Sequence, residues 1–204
     1  MSAAPKRRLT IEEYFAIERE APFKSEFFDG EVFAMAGATS HHNIIKSNIE
    51  GELYGRLKGG PCRTMSSDQR VKVDRTGLVA YPDIVIYCGK LEFAVEDQDT
   101  ICNPVAIIEV LSPSTEKYNR GMKFRNYQLI PSFKEYILVD QDEAVCERFI
   151  RQEDGSWALV SFVGLESELA FTSVEARIPL KDIYAGVTFP ELPQDHAVPP
   201  RVID

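Results

Sequence analysis

The chain lacks a long apolar run. No stretch approaches the ~18 consecutive apolar residues of a membrane span, and the opening segment MSAAPKRRLTIEEYFAIERE carries basic residues with no apolar block behind them. Neither a spanning helix nor a secretory signal is expected, and a cytoplasmic protein is the expectation. Cysteine is scarce: Cys62, Cys88, Cys102 and Cys146 form no CxxC pair. All four read as reduced thiols packing as small hydrophobes beside strands, with no zinc site expected. Basic charge is also short, since 23 Lys and Arg face 32 Asp and Glu for a net charge of −9. A broad phosphate-binding surface is therefore excluded, and any contact with nucleic acid must be local. Internal repeats and low-complexity blocks are absent.

What is present suits one globular unit. With 44% hydrophobic residues over 204 positions, the chain can bury a real core, while two domains would be cramped. One domain over residues 1–190 is expected, followed by a proline-rich, weakly patterned tail over 191–204. Thr10 to Glu20 reads as a short amphipathic helix with Thr10 at its N-cap. SEFFDGEVFAMAG places Asp29-Gly30 between two apolar runs, the signature of a β-hairpin. A second helix is expected from Thr39 or Ser40 to Leu57, with Ile44, Ile45, Ile49, Leu53 and Leu57 as its core stripe and Gly59-Gly60 ending it.

Further along, QRVKVD alternates like a half-exposed strand, whereas PDIVIYC and PVAIIEVLS are continuous apolar runs of strands buried on both faces. The segment 116–130 is free of proline and predicts a helix capped by Ser114 or Thr115. Strand 104–112, helix 115–130 and strand 136–140 then form a βαβ unit with parallel strands. AVCERFIRQ, WALVSF and LAFTS suggest an antiparallel meander around the turn EDGS.

One residue does not suit its surroundings. Side chains alternate along a strand, so Glu109 shares a face with Val105, Ile107 and Leu111. An unpaired carboxylate there costs several kcal/mol, so it must be protonated, paired with a cation or open to a cleft. Asp83 starts the preceding apolar run in a similar setting. Two acids on neighbouring buried strands suit a shared hard divalent cation such as Mg²⁺. The plainer alternatives are a turn acid for Asp83 and, for Glu109, a salt bridge to an arginine such as Arg125.

YPDIVIY, VAIIEVLSPST, KFRNY on the following helix and KEYILVD, in this order, resemble the Uma-two family of restriction-endonuclease-like proteins within the PD-(D/E)XK nuclease superfamily. The likeness runs from about Leu9 to Pro190 and includes EFFDGEVFAMAG, His42-Asn43, SDQRV and IPLKDIYAGVTFP. It implies an α/β fold with a restriction-endonuclease-like core: a mixed central β-sheet, flanking helices and a C-terminal antiparallel extension. It also implies that Asp83 and Glu109 bind Mg²⁺, with Mn²⁺ able to substitute, and that the Val110 carbonyl is a further ligand. Glu26 would supply a third acid near the metal, or else bridge to Lys24 or Arg19. His42 matches a family histidine, but capping or core packing suits it equally. Asp68 also matches and reads as structural.

The superfamily pattern places lysine two residues after the second acid, where this chain has Leu111. A catalytic ammonium is defined by where its charge arrives, so its backbone origin can migrate. The resemblance assigns that role to Lys123. On helical spacing Lys123 shares a face with Asn119 and Tyr127, well off the apolar stripe of Tyr118, Met122 and Leu129, and its plain reading is a solvated surface lysine. Relatives often carry aspartate at the Asn119 position.

Two function classes follow. The first is a Mg²⁺-dependent endonuclease acting on DNA, with Asp83, Glu109 and Lys123 as catalytic residues, approached over Arg70, Lys72, Lys117, Arg120 and Arg125, and paired as a homodimer. The second is a nuclease-fold protein that no longer cleaves and serves as a binding or assembly module.

Overall fold

A computed structural model describes residues 7–35 and 37–189 of the chain; the expected tail over 191–204 lies outside the described residues. The first helix, α1 (Ile11–Glu20), starts in a complete capping box: Thr10 Oγ1 accepts from the Glu13 amide, and the Glu13 carboxylate accepts from the Thr10 amide. It buries Tyr14 and Phe15 against Phe27 of β1 (Ser25–Phe28). The hairpin to β2 (Glu31–Ala34) turns through Asp29 at φ 49° and Gly30 at φ 78°, the two positive angles a tight two-residue hairpin loop demands. Gly30 is further required by space, since a Cβ there would stand 2.6 Å from the Arg8 Cβ.

Helix α2 (Ser40–Leu57) is capped by Thr39, whose hydroxyl accepts from the His42 amide, and it buries Ile45, Ile49, Leu53 and Leu57. The strands that follow are β3 (Cys62–Ser66), β4 (Arg70–Val73), β5 (Leu78–Ala80), β6 (Ile84–Cys88), β7 (Thr100–Ile101) and β8 (Ala106–Val110). After β8 comes a helical connection in three parts: α3 (Glu116–Tyr118), a π-helical turn over Asn119–Lys123, and α4 (Phe124–Tyr127). The chain ends in β9 (Glu135–Val139), β10 (Val145–Arg151), β11 (Trp157–Val163), β12 (Glu168–Ala170), β13 (Arg177–Pro179) and α5 (Leu180–Ile183).

The strands form two large mixed sheets. One has the order β2-β1-β5-β4-β7 and the other β11-β10-β9-β8-β6-β3, while β12 and β13 pair separately. Strands β8 and β9 run parallel, as the βαβ reading requires. Alternation along β8 divides the interior. Ala106, Ile108 and Val110 join a cluster with α2, α5 and the β12–β13 pair, whereas Ile107 and Leu111 join one with Phe124, Tyr127, Phe133 and Tyr136. Aromatic stacking at 5.1 Å between Phe124 and Tyr136 helps seat the helical connection on the sheet.

Four local expectations need correction. The segment LAFTS does not extend the meander, because β12 turns away to pair with β13. QRVKVD is not half exposed: Lys72 is buried beside Val71 and Val73, its charge met by Glu96 at 2.6 Å and Asp74 at 3.2 Å. The helix expected over 116–130 is interrupted by the π-turn and ends at Tyr127. Finally, Cys62 and Cys88 are joined by a disulfide, because β3 and β6 pair antiparallel in a register that sets them directly opposite. Only Cys102 and Cys146 remain free. No helix among the described residues is long and apolar enough to cross a membrane.

Candidate active site

The two large sheets meet where β5 leads through Tyr81-Pro82 into β6. Asp83 precedes β6, and Ile84 pairs with Ile108 of the antiparallel β8. Continuing that register by one step sets Asp83 opposite Glu109. Glu109 is 3% exposed and flanked on its face by Ile107 and Leu111. Its partner arrives from the π-turn: Lys123, 4% exposed, places Nζ 3.0 Å from Glu109 Oε1 and 2.9 Å from Glu26 Oε1. Glu26 comes from β1 in the other sheet. Its carboxylate also accepts from the Tyr81 amide at 3.2 Å and the Tyr118 hydroxyl at 2.8 Å, and the Tyr118 ring lies 5.5 Å from Nζ.

Asp83 is tied down differently. Its Oδ2 accepts from the Val110 amide at 2.8 Å and lies 3.1 Å from His42 Nε2. The site thus sets two carboxylates, Glu26 and Glu109, on one ammonium, with Asp83 on the strand beside Glu109. Burial pushes the Glu109 carboxyl up to about 8; Lys123 opposes the rise, and the charges of Asp83 and Glu26 add to it. Burial works against the Lys123 charge, but Glu109 and Glu26 outweigh it and hold the amine well above the ordinary lysine value. Two further polar atoms, Tyr127 Oη and His42 Nδ1, are buried without a hydrogen-bond partner among the described residues.

A family model described as "Putative restriction endonuclease", Uma2, matches residues 11–180. The chain belongs to the Uma2 family. It is 30% identical over 187 residues to the uncharacterized protein slr1290 of Synechocystis sp. (strain ATCC 27184 / PCC 6803 / Kazusa), covering 92% of this chain and 97% of that protein. The uncharacterized protein sll1609 of the same strain is 31% identical over 172 residues, 84% of this chain and 97% of that one. Among solved structures, a protein of Anabaena variabilis ATCC 29413 described as "a putative nuclease belonging to DUF820" superposes with a TM-score of 0.69 at 16% identity. The match covers 86% of this chain and 97% of that one, and it shows a shared restriction-endonuclease-like fold.

Leu111 is 3% exposed and packed in the aromatic cluster, while Lys123 brings its ammonium to Glu109. The plain reading of Lys123 as a solvated lysine fails, because the π-turn directs Asn119 and Lys123 inward and leaves Tyr118, Met122 and Leu129 only partly buried. Arg125 is exposed and is not the partner of Glu109. Nor do Lys24 and Arg19 serve Glu26, since they bind Asp68 at 2.6 Å and Asp97 at 2.8 Å.

The expected basic approach is narrower than the sequence suggests. Arg70 is engaged by Asp97, Lys72 by Glu96, and Arg120 by Glu116 and Glu147. Lys117 and Arg125 make no ion pair among the described residues and, with Tyr118 and Gly121, line a depression on the helical connection, linked to Glu26 through the Tyr118 hydroxyl. Of two further contributors, the sequence reading left one open and missed the other. His42 was visible only as a family match and a first-turn position. Tyr118, five residues before Lys123, was assigned to the apolar stripe.

The Uma2 resemblance implies a divalent cation, and the donor chemistry fits one. Three carboxylates exceed the single Lys123 charge, and carboxylates are the ligands hard cations take. Among the described residues no three Asp, Glu, His or Cys side chains are grouped to hold an ion unaided, so backbone oxygen and water would complete the shell, as Mg²⁺ prefers.

Proposed function

We propose that the protein is a Mg²⁺-dependent endonuclease that hydrolyses DNA phosphodiester bonds, with Mn²⁺ able to replace Mg²⁺. The observation that carries this reading is the convergence of Glu26 and Glu109 on the Lys123 ammonium, with Asp83 opposite Glu109. Asp83, Glu109 and the Val110 carbonyl would hold the ion, with Glu26 adjoining. When bound, the ion would supply Lewis-acid polarisation and neutralise charge on the phosphate. The protein's own contribution is positional and electrostatic. Lys123 offers a fixed positive charge to the phosphorane as it develops. Tyr118 holds Glu26, and Lys117 and Arg125 draw the strand towards the depression they line. A homodimer, which would set two sites against the two strands of a duplex, belongs to the same proposal, and sedimentation equilibrium tests it.

The deciding experiment is plasmid cleavage in Mg²⁺ or Mn²⁺ by wild type, Glu109→Ala and Lys123→Ala. Cleavage by wild type and its loss by at least 100-fold in both variants is expected; equal cleavage by all three sinks the assignment. A second reading, a non-cleaving binding or assembly module of the same fold, draws on one observation. The Glu26–Lys123–Glu109 triad satisfies itself as a buried ion cluster, which a purely structural role would also produce. Titration calorimetry with Mn²⁺ separates the two, because a structural triad has no need of the ion.

A further inference from the structure

We propose that His42 is a positioning residue for Asp83: it commits one carboxylate oxygen to protein donors and leaves the other presented to a cation. The inference rests on the metal reading above. Both donors that reach Asp83 converge on the same atom, Oδ2: the Val110 amide at 2.8 Å and His42 Nε2 at 3.1 Å. Among the described residues no protein donor reaches Oδ1. One donor belongs to the end of β8 and the other to the first turn of α2, so two separate elements define the carboxylate plane. Left to itself, that plane turns over a broad two-fold torsion.

His42 is held in place in its turn. Its amide donates to Thr39 Oγ1 at 3.1 Å, and that hydroxyl donates to Gln141 Oε1 at 2.9 Å, tying the start of α2 to the turn that follows β9. The contact with Asp83 requires a proton on Nε2. Nδ1 is buried without a partner among the described residues. Groups behind metal-ligating side chains act in this way, and losing one costs ~10–100-fold in metal affinity.

The test is calorimetric titration of the full chain with Mn²⁺, on wild type, His42→Ala and His42→Gln, the last retaining an N–H donor at the reach of Nε2. Thermal denaturation of each variant is followed in parallel. The inference expects Mn²⁺ affinity to fall ~10–100-fold in His42→Ala and to be largely restored in His42→Gln. Binding by wild type and His42→Ala with equal affinity overturns it while leaving the metal reading intact. So does a His42→Gln variant that is folded yet as weak as His42→Ala. No binding by wild type overturns the metal reading itself, and this inference with it. Should His42→Ala fail to fold, nitrogen-15 correlation spectra of the wild-type imidazole decide independently, since a proton found on Nδ1 instead of Nε2 excludes the proposed hydrogen bond.

Discussion

At the scale of the residue, the question is how a glutamate persists inside an apolar strand. Glu109 does so by sharing Lys123 with Glu26, and the protein still holds more acid than base there. Folding therefore favours the protonated form of Glu109, whose carboxyl is pushed up to about 8 from 4.5. The sign of the pH dependence follows. Below about 4.5 the group is protonated in both states and its contribution is fully present. Between about 4.5 and 8 the native state binds more protons than the unfolded one, so stability of the metal-free protein falls as pH rises. Glu109→Gln should flatten this part of the stability profile measured by urea denaturation at pH 5, 7 and 9. An unchanged slope would place the titration elsewhere. Lys123→Met tests the other partner: removing the ammonium that Glu26 and Glu109 share should cost about 3–5 kcal/mol near pH 8 and less near pH 5, where Glu109 is protonated. Glu109 was legible in the sequence because a carboxylate breaks an apolar run, and Asp83 because it begins one. The burial of Lys123 was not, since ideal helical spacing turns it away from the apolar stripe.

At the scale of the element, that failure has a definite cause in the π-turn over Asn119–Lys123. Tyr118 and Lys123 are five residues apart, which in an α-helix separates them by about 140°. Yet both side chains reach Glu26, at 2.8 Å and 2.9 Å. A π-turn closes its hydrogen bond five residues on, bringing such positions back to one side. No residue in NRGMK announces this, whereas the capping box of α1, the Asp29-Gly30 hairpin and the stripe of α2 are local signals and were all legible. A π-turn is in effect a one-residue insertion in an α-helix. Deleting Gly121 should therefore leave Tyr118 and Lys123 four apart on a regular helix, still facing Glu26, with a melting temperature close to wild type. Adding an alanine after Gly121 should rotate Lys123 away from Glu109 and cost about 3–5 kcal/mol in chemical denaturation. If both changes were equally harmful, the π-turn would not be what aligns the two contacts.

At the scale of the whole molecule, stability and the candidate site are separable along a single strand. The β3–β6 pair carries Asp83 just before one end and the Cys62–Cys88 disulfide at the other, about 17 Å away at ~3.3 Å per residue. The disulfide closes a loop with a sequence separation of 26, and loop-closure entropy gives such a cross-link on the order of 3 kcal/mol through the unfolded state. It does not touch Glu109, Lys123 or Glu26. The four cysteines showed no pairing in the sequence because a cross-strand disulfide depends on the register of β3 against β6, and no CxxC-like spacing encodes that register. Cys88→Ser, or wild type in dithiothreitol, should therefore lower the denaturation midpoint by an amount near that estimate, while calorimetric Mn²⁺ affinity and the pH profile of Glu109 stay as in the oxidised protein. The strand pair itself should survive reduction, because Ile84, Ile86 and Cys62 remain packed against Leu53 and Leu57 of α2 in one cluster. Loss of Mn²⁺ affinity on reduction would show instead that the far end of β6 controls the placement of Asp83, coupling the disulfide to the site along the length of the strand.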